Sequence, residues 1–293
     1  MGFTSTKSFY RMKYLKTPLR YPGGKSRVAK MLLEKFPSEI KEFREPFVGG
    51  GSVALLFSQK YPDIPVWVND KYEYLYSFWK TLQERGDELS DTLYNIKVEN
   101  STEEKAKELF LSAKDEISKA DTFQQAVLFW ILNKCSYSGL TENSSFSKTA
   151  SKQNFTTRGA LHLKSISEVI QKWHITNLDY NDVMNDQESE RLGVFVFLDP
   201  PYKINTYLYG TNAEMHKNFN HELFVDCCKI CPHKWLVTYN IDDELKEAYK
   251  DFNQEEFKIT YGMKHRADNK LKTELLVTNF TESTPLSSLY ETV

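Results

Sequence analysis

An apolar run that ends in a carboxylate and two prolines is the feature that most constrains this chain. Residues 194–198 read VFVFL, and Asp199, Pro200, Pro201 and Tyr202 follow directly. An uninterrupted apolar run predicts a strand buried on both faces, as in a parallel sheet covered by helices. The prolines fix the backbone and favour an extended conformation at Asp199. We therefore predict a rigid carboxylate at the carboxyl edge of an open α/β sheet, where such folds carry their functional sites.

This edge is chemically suited to an exocyclic amino group on a planar ring. The Asp199 carboxylate and the Pro200 carbonyl can accept hydrogen bonds from the two N–H groups of such an amine, and Tyr202 can stack on the ring. The nitrogen lone pair is then available for attack. The alternative for this segment alone is a strand that ends in a proline-rich turn.

A glycine-rich turn lies upstream. Residues 45–51 read EPFVGGG and lead into an apolar helical stretch at 53–57. About 20 residues further on, a short apolar run at 66–68 ends in Asn69 and Asp70, and an acidic residue at this spacing binds the ribose hydroxyls in nucleotide-binding sheets. An ordinary surface turn is the alternative.

A second glycine segment, Gly23-Gly24-Lys25-Ser26, must be compared with a phosphate-binding loop. The Walker A pattern requires a glycine five residues before Gly24, and Leu19 occupies that position. The sequence therefore excludes the P-loop interpretation.

Taken in order, these motifs resemble one family. Residues 18–25 read PLRYPGGK, 45–51 read EPFVGGG and 199–202 read DPPY, with further matches at 133–140, 220–223 and 273–277. This arrangement is similar to that of the Dam-like (D12 class) adenine-N6 DNA methyltransferases in their α order. The resemblance implies an α/β, Rossmann-like methyltransferase sheet with helices on both faces. It also implies an inserted, mainly helical target-recognition domain that carries a loop or hairpin.

The resemblance and the hydrophobic periodicity together predict the domain organisation. We expect a catalytic domain at 1–72 and 166–293, and a recognition domain at 73–165. Periodicity predicts helices at 26–36, 72–82, 103–119 and 123–132, and a polar loop or hairpin at 136–157. Strands are expected at the glycine motif and at 66–68, 175–178, 194–198, 235–239, 257–260 and 275–277.

The resemblance also implies roles for individual residues. Asp199 and the Pro200 carbonyl would accept from the target N6 amine, with Pro201 fixing the turn and Tyr202 stacking on the flipped base. S-adenosyl-L-methionine (AdoMet) is the implied cofactor, with no metal. Its expected binding residues are Tyr21, Gly23, Gly24, Lys25, Phe47, Gly49, Gly51, Asp70, Asp179 and Tyr180. For Asp179 a structural turn aspartate is the alternative.

The expected partner is double-stranded DNA, read by the segment between the glycine and catalytic motifs. The residues expected to contact it are Tyr137, Ser138, Thr141, Asn143, Lys148, Lys152 and Arg158. GATC-methylating members carry an Arg-Tyr-Asn run and then a Phe-Asn-Val-Pro stretch here, whereas this chain reads SGLTENSSFS at 138–147 and has no arginine between residue 138 and Arg158. Because arginine is the commonest reader of guanine, we predict an adenine-containing target other than GATC.

Charge distribution is compatible with DNA binding although the net charge is only −2. Residues 1–33 hold basic side chains and no acidic ones, and 145–174 and 258–272 are also basic. Such asymmetry can hold phosphates on one side, although a charged run is more often a solvated helix face. We expect a cytoplasmic bacterial or phage protein that does not enter a membrane, monomeric or alternatively dimeric.

Other interpretations remain at this stage. The cluster Cys227, Cys228 and Cys231 lacks the second pair of a common zinc pattern, so buried thiols are favoured over a metal site. A methyltransferase acting on cytosine N4 or on RNA, or a non-catalytic DNA-binding relative, are the alternative functions. Asp199, Gly49 and Asp70 favour the active adenine enzyme.

Overall fold

The computed structural model describes residues 14–186, 192–202, 219–260 and 271–281. Within these ranges the backbone forms one seven-stranded sheet and a set of helices. No helix in these ranges is both long enough and apolar enough to cross a membrane.

The sheet is mixed, with strand order β3-β2-β1-β4-β5-β7-β6. The first five of these strands are parallel, and β7 runs antiparallel to both β5 and β6. The strands are β1 (Glu42–Glu45), β2 (Val66–Asn69), β3 (Trp173–Thr176), β4 (Val194–Leu198), β5 (Lys234–Asn240), β6 (Asn253–Thr260) and β7 (Leu271–Thr278). The order reverses between β1 and β4, which is where open α/β sheets form their binding crevice.

Strand β4 is buried along its whole length, as the apolar run predicts. Phe195 and Phe197 point into one hydrophobic core, and Val194, Val196 and Leu198 point into a second core on the opposite face. This alternation follows from the period of two in a strand, and both faces need a covering layer. The expected Rossmann-like sheet with helices on both faces is confirmed.

Eleven α-helices lie within the described residues. They are α1 (Ala29–Leu33), α2 (Ser52–Lys60), α3 (Glu73–Glu84), α4 (Gly86–Glu99), α5 (Glu103–Glu116), α6 (Thr122–Cys135), α7 (Lys148–Asn154), α8 (Thr157–Val169), α9 (Tyr180–Met184), α10 (His221–Ile230) and α11 (Asp243–Ala248). Several begin where a polar side chain caps the first turn: Asp121 accepts from the Gln124 amide at 2.9 Å, and Asn220 accepts from the Leu223 amide at 3.0 Å. Helices α3–α8 all lie between β2 and β3 in the sequence.

Helix α6 is the centre of this inserted helical part. Its residues Phe129, Trp130, Ile131 and Leu132 are all completely buried. A helix that is apolar on every side must be surrounded by other elements, and α6 packs against α3, α5 and α7. The inserted part therefore has its core around α6.

The structure corrects several predicted elements. The helix expected at 26–36 is regular only over Ala29–Leu33, and the glycine motif follows β1 instead of starting it. Helix α4 was not predicted. In the segment 136–157, an antiparallel bridge joins Ser136 and Phe146, as a hairpin would, but a helix forms at Lys148–Asn154 where a loop was expected. The Ser147 hydroxyl caps this helix by accepting from the Ala150 amide.

Candidate active site

The predicted catalytic turn lies at the carboxyl edge of the sheet. Asp199 follows β4 directly, and the glycine turn and Asp70 follow the neighbouring strands β1 and β2. Because parallel strands end at the same edge, residues far apart in sequence meet there. Three of the predicted motifs are thus brought to one edge.

Asp199 is held by two hydrogen-bond donors. The ammonium of Lys25 lies 2.7 and 2.9 Å from its two carboxylate oxygens, and the Thr238 hydroxyl donates to Oδ1 at 3.0 Å. Lys25 is only 3% exposed and Asp199 is 19% exposed. A charge-assisted pair with this little solvent access fixes the position of the carboxylate. Each carboxylate oxygen can accept about two hydrogen bonds, so Oδ2 can accept another donor beside Lys25.

Tyr202 is part of the same network. Its hydroxyl accepts from the Lys25 ammonium at 2.8 Å and donates to Oε2 of Glu274 at 2.8 Å. The Lys25 nitrogen lies 4.9 Å from the centre of the Tyr202 ring. Burial, reinforced by the neighbouring carboxylates Asp199 and Glu274, raises the pKa of the Tyr202 hydroxyl well above its usual value. The phenol therefore stays protonated and can donate to Glu274.

The glycine turn is closely packed against aromatic side chains. Gly49 has a φ of 47°, and a Cβ there would lie 2.9 Å from Cε1 of Tyr21. Gly51 has a φ of 65°, and a Cβ there would lie 2.7 Å from Cζ2 of Trp79. Both positions require glycine for conformation and for space. The turn that was predicted from sequence thus has a geometry that other residues would disturb.

Asp70 is anchored to this turn. Its carboxylate accepts from the Gly49 amide and from the Tyr72 amide, both at 3.0 Å. Burial outweighs these two hydrogen bonds and raises the pKa of Asp70 to about 6. One further acceptor position remains on each oxygen, as a ribose diol would need.

An aromatic cluster lies next to the turn. The ring of Phe47 is 5.3 Å from that of Tyr180 and 5.7 Å from that of Phe224, measured between centroids. Tyr180 starts α9, and Asp179 is the exposed N-cap of that helix, where it accepts from the Asn181 amide at 3.1 Å. The capping bond is the structural role that was the alternative for Asp179.

The first motif forms a turn over the site. The Gly24 amide donates to the Tyr21 carbonyl at 3.1 Å, and the Lys25 ammonium donates to the Gly23 carbonyl at 3.1 Å. Asn133 of α6 holds this segment from the other side, accepting from the Arg20 amide at 3.0 Å and donating to its carbonyl at 2.7 Å. The motif therefore joins the inserted helices to the catalytic turn.

The expected DNA-contacting residues are spread along one segment and differ in exposure. Tyr137 is 51% exposed, and Asn143, Lys148, Lys152 and Arg158 are also exposed. Lys148 pairs with Glu103 at 2.7 Å. Ser138 is partly buried, and Thr141 is buried; both have positive φ values of 53°. Thr141 thus faces the protein in this structure.

The predicted recognition segment also contacts the region predicted to bind the cofactor. The Tyr72 hydroxyl donates a hydrogen bond to the Glu142 carboxylate, and the Tyr72 amide donates to Asp70. Burial raises the pKa of Tyr72 far above its usual range, and the nearby Glu142 carboxylate raises it further. A single residue therefore connects the two predicted binding regions.

Sequence reasoning missed two members of the site, Thr238 and Glu274, which were given no role. Lys25 was expected to bind the cofactor, and the structure adds that it pairs with Asp199. Glu274 lies on β7 and is 2% exposed. The sequence signal for it was a single charged residue in the segment 273–277, directly followed by three apolar residues. Buried charges of this kind are rare unless they are paired.

The clustered cysteines are buried. Cys228 accepts from the Tyr249 hydroxyl at 3.6 Å, and Cys231 donates to the Met184 carbonyl at 3.3 Å. Among the described residues, no group of three or more His, Cys, Asp or Glu side chains has the arrangement of a metal site.

Comparison with known proteins identifies the family. Residues 21–263 match the D12 class N6 adenine-specific DNA methyltransferase family. The type II methyltransferase M.MjaIII of Methanocaldococcus jannaschii is 30% identical over 63% of this chain and 68% of its own length. The type II methyltransferase M1.LlaDCHI of Lactococcus lactis subsp. cremoris is 26% identical over 89% and 94%, respectively. The modification methylase StsI of Streptococcus sanguinis is 21% identical over 93% of this chain and 44% of its own length. The chain therefore belongs to the D12 class N6 adenine-specific DNA methyltransferase family.

Proposed function

We propose that Asp199 is the residue that accepts from the N6 amine of the target adenine, with the Pro200 carbonyl as the second acceptor and Tyr202 stacking on the base. The observation that supports this most directly is the fixed Asp199 carboxylate, held at the sheet edge by Lys25 and Thr238. Because the carboxylate is already in position before the substrate binds, the reaction does not have to supply free energy to reorient it.

Family membership makes this chain a site-specific adenine DNA methyltransferase. DNA is its substrate and AdoMet is its methyl donor. Family membership favours this activity over the alternatives that the sequence alone had left open, namely methylation of cytosine N4 or of RNA and a non-catalytic role.

The glycine turn and the neighbouring aromatic cluster fit AdoMet. Gly49 leaves no space for a side chain, Asp70 retains acceptor positions for a ribose, and Phe47 and Tyr180 offer an apolar aromatic wall. When bound, AdoMet supplies a methyl group on a sulfonium, so that the carbon–sulfur bond breaks with its electron pair left on sulfur. Tyr21, Gly23, Gly24, Gly51 and Asp179 complete the set that we propose for the cofactor side.

The protein must bring the N6 atom to this edge. Inside a stacked duplex the amine is out of reach, so the adenine has to be flipped into the site, at a cost of a few kcal/mol. Stacking on the Tyr202 ring offsets part of that cost. Asp199 and Pro200 then orient the amine, and positioning contributes a large share of the rate.

Asp199 is also proposed to stabilise the positive charge that develops on the N6 nitrogen. The nitrogen becomes positive as it forms its bond to the methyl carbon, and then loses one proton. A carboxylate at hydrogen-bond distance stabilises that positive charge and accepts the proton, which passes on to solvent. Pro201 contributes by keeping the turn rigid.

The recognition segment is proposed to select a sequence other than GATC. The exposed residues Tyr137, Asn143, Lys148, Lys152 and Arg158 are available to DNA, and Arg158 is the residue that we propose reads a guanine. Ser138 and Thr141 would shape the segment from within. In this proposal 73–165 form the recognition domain, and 1–72 together with 166–293 form the catalytic domain.

One experiment tests the proposed specificity and the role of Asp199 together. The protein and its Asp199→Ala variant are expressed in a bacterial host without adenine methylation, and genomic DNA is sequenced with detection of modified bases. We expect N6-methyladenine in one sequence motif other than GATC for the parent protein, and none for the variant. Modification confined to GATC would refute the specificity proposal, and persistent modification by the variant would refute the role of Asp199.

A further inference from the structure

Tyr72 lies where the sheet edge continues into the inserted helices. It is the N-cap residue of α3 and follows the end of β2 closely in sequence. Its amide donates to Oδ1 of Asp70 at 3.0 Å, and the other oxygen of that carboxylate accepts from the Gly49 amide. The position of Tyr72 therefore helps to fix the carboxylate that we propose binds the AdoMet ribose.

The side chain of Tyr72 extends in the other direction, to the segment 137–144 (the recognition turn). Its hydroxyl donates to the Glu142 carboxylate and lies 3.4 Å from Oγ1 of Thr141. Its ring packs edge-on against that of Phe129 of α6, with 5.9 Å between the centroids. The backbone and the side chain of one partly buried residue thus contact two separate regions.

The recognition turn has a backbone that depends on contacts of this kind. Ser138 and Thr141 both have a φ of 53°, which lies in the left-handed region. Residues other than glycine are unfavourable there, and they persist only when surrounding contacts hold them. The Thr141 amide donates to the Ser136 hydroxyl at 3.2 Å, and the Tyr72 hydroxyl binds the residue that follows Thr141. Loss of the Tyr72 contact would therefore let the turn relax toward an ordinary backbone conformation.

We propose that Tyr72 is a positioning residue that couples AdoMet binding to DNA binding, because it joins Asp70 to the recognition turn. This inference rests on the proposed roles of Asp70 at the ribose and of the recognition turn at DNA. DNA that contacts the exposed Tyr137 and Asn143 holds the turn in this conformation, which keeps Tyr72 and hence Asp70 in place. Coupling between two sites is reciprocal, so each ligand binds more tightly when the other is present.

A purely structural role of the hydrogen bond between Tyr72 and Glu142 gives a different expectation. A change that only loosens the surroundings of Asp70 weakens cofactor binding by the same factor with and without DNA. A change that removes the coupling alters the ratio of these two dissociation constants. That ratio therefore distinguishes a coupling role from a structural one.

The test is calorimetric titration of the full chain with S-adenosyl-L-homocysteine, which carries the AdoMet ribose but has no methyl group to transfer. The titration is done without DNA and with a saturating duplex that carries the sequence motif found methylated in genomic DNA. We expect the duplex to tighten binding to the parent protein by about fivefold or more. Tyr72→Phe, which keeps the ring and the amide, should reduce this factor to less than about twofold, and so should Glu142→Ala. The double variant should lose no more coupling than either single variant.

Two further variants serve as controls. Tyr76→Phe makes the same chemical change one turn further along α3, and no hydrogen bond within the described residues involves the Tyr76 hydroxyl. Its coupling should equal that of the parent protein. Glu142→Gln keeps an oxygen that can accept from the Tyr72 hydroxyl, so it should keep most of the coupling.

Each outcome decides the proposal. A parent ratio below about twofold, or a Tyr72→Phe protein with the parent ratio, would overturn it. If Tyr72→Phe does not fold, Glu142→Ala decides, because an unchanged ratio in that variant contradicts the proposal equally. Unchanged affinity of Asp70→Ala for S-adenosyl-L-homocysteine would instead show that the proposed ribose site is wrong. Unchanged DNA affinity of Tyr137→Ala would show that the proposed DNA contact is wrong.

Discussion

Replacing Asp199 by asparagine separates chemistry from folding more cleanly than any truncation at this site. The amide is nearly the same size as the carboxylate, and its oxygen can still accept from Lys25 or Thr238. What it loses is the negative charge. The structure therefore predicts a protein that folds and binds AdoMet but transfers methyl groups slowly.

The Asp199→Asn substitution is expected to change the rate of methyl transfer much more than the free energy of unfolding. Removing one donor or acceptor that stabilises charge in a transition state costs about 3 to 4 kcal/mol, which corresponds to a rate lower by roughly 100- to 1,000-fold. The free energy of unfolding should fall by only about 1 to 2 kcal/mol, because a hydrogen bond to a charged group is weakened and not abolished. Asp199→Ala should cost more, about 2 to 4 kcal/mol, since it leaves the 3%-exposed Lys25 ammonium without its carboxylate.

The assay combines single-turnover methyl transfer to duplex DNA with urea unfolding and calorimetric titration of AdoMet. Asp226→Asn is the control, because Asp226 forms an exposed pair with Lys229 on α10 and should change neither quantity measurably. If Asp199→Asn transfers methyl groups within tenfold of the parent rate, the amine is not held by this carboxylate.

The remaining predictions concern the cofactor, the DNA and stability. Asp70→Ala should weaken AdoMet binding by about 1.5 to 3 kcal/mol in calorimetry, the range for a hydrogen bond to a charged group; unchanged affinity would place the ribose elsewhere. Arg158→Ala should cost about 1 to 3 kcal/mol at one base pair in competition binding if it reads guanine, whereas Lys164→Ala on the same helix should not alter specificity. Because the pKa values of Asp70 and Glu274 are raised to about 6 and about 7, the folded protein binds more protons than the unfolded chain between about pH 4 and 7. These two groups should therefore make the free energy of unfolding fall as pH rises across that interval and level off above it, and Glu274→Gln should reduce the slope in urea titrations.

Much of the fold followed from patterns that depend on local physics. The five apolar residues of β4 required cover on both faces, and hydrophobic periodicity predicted helices at 103–119 and 123–132, where α5 and α6 lie. These elements depend on burial and backbone hydrogen bonding among residues that are close together in the sequence, so a local pattern can predict them.

Strand β1 shows where such patterns fail. It reads EFRE, yet all four residues are buried. Arg44 is fully buried because it pairs with Glu42 at 2.6 Å, donates to the Val183 carbonyl at 2.8 Å and lies 4.8 Å from the Trp67 ring. Glu45 accepts from the Ala54 amide in the first turn of α2 at 2.8 Å. Val183 and Trp67 come from other elements of the fold, and Glu42 is itself a charged neighbour, so hydrophobic periodicity cannot identify the strand.

The candidate site divides in the same way. The motifs located Asp199, Tyr202, Gly49 and Asp70, because each sits at the end of a strand. The pairing of Lys25 with Asp199 and the contact of Tyr202 with Glu274 depend on which strands are neighbours. That order is a property of the whole sheet, and no local pattern encodes it.

The placement of the inserted helices between β2 and β3 has a consequence for how such enzymes diverge. The two strands are direct neighbours, with Val66 opposite Trp173, so the chain leaves the sheet and returns to the adjacent position. The entropy of closing a loop grows only with the logarithm of its length, about 0.6 kcal/mol for each doubling. Lengthening, shortening or exchanging the segment between β2 and β3 therefore makes little difference to the stability of the strand pairing. A lineage can replace the inserted part, which we propose contacts DNA, and keep the sheet edge that carries Asp199, so new sequence preferences can arise at low thermodynamic cost.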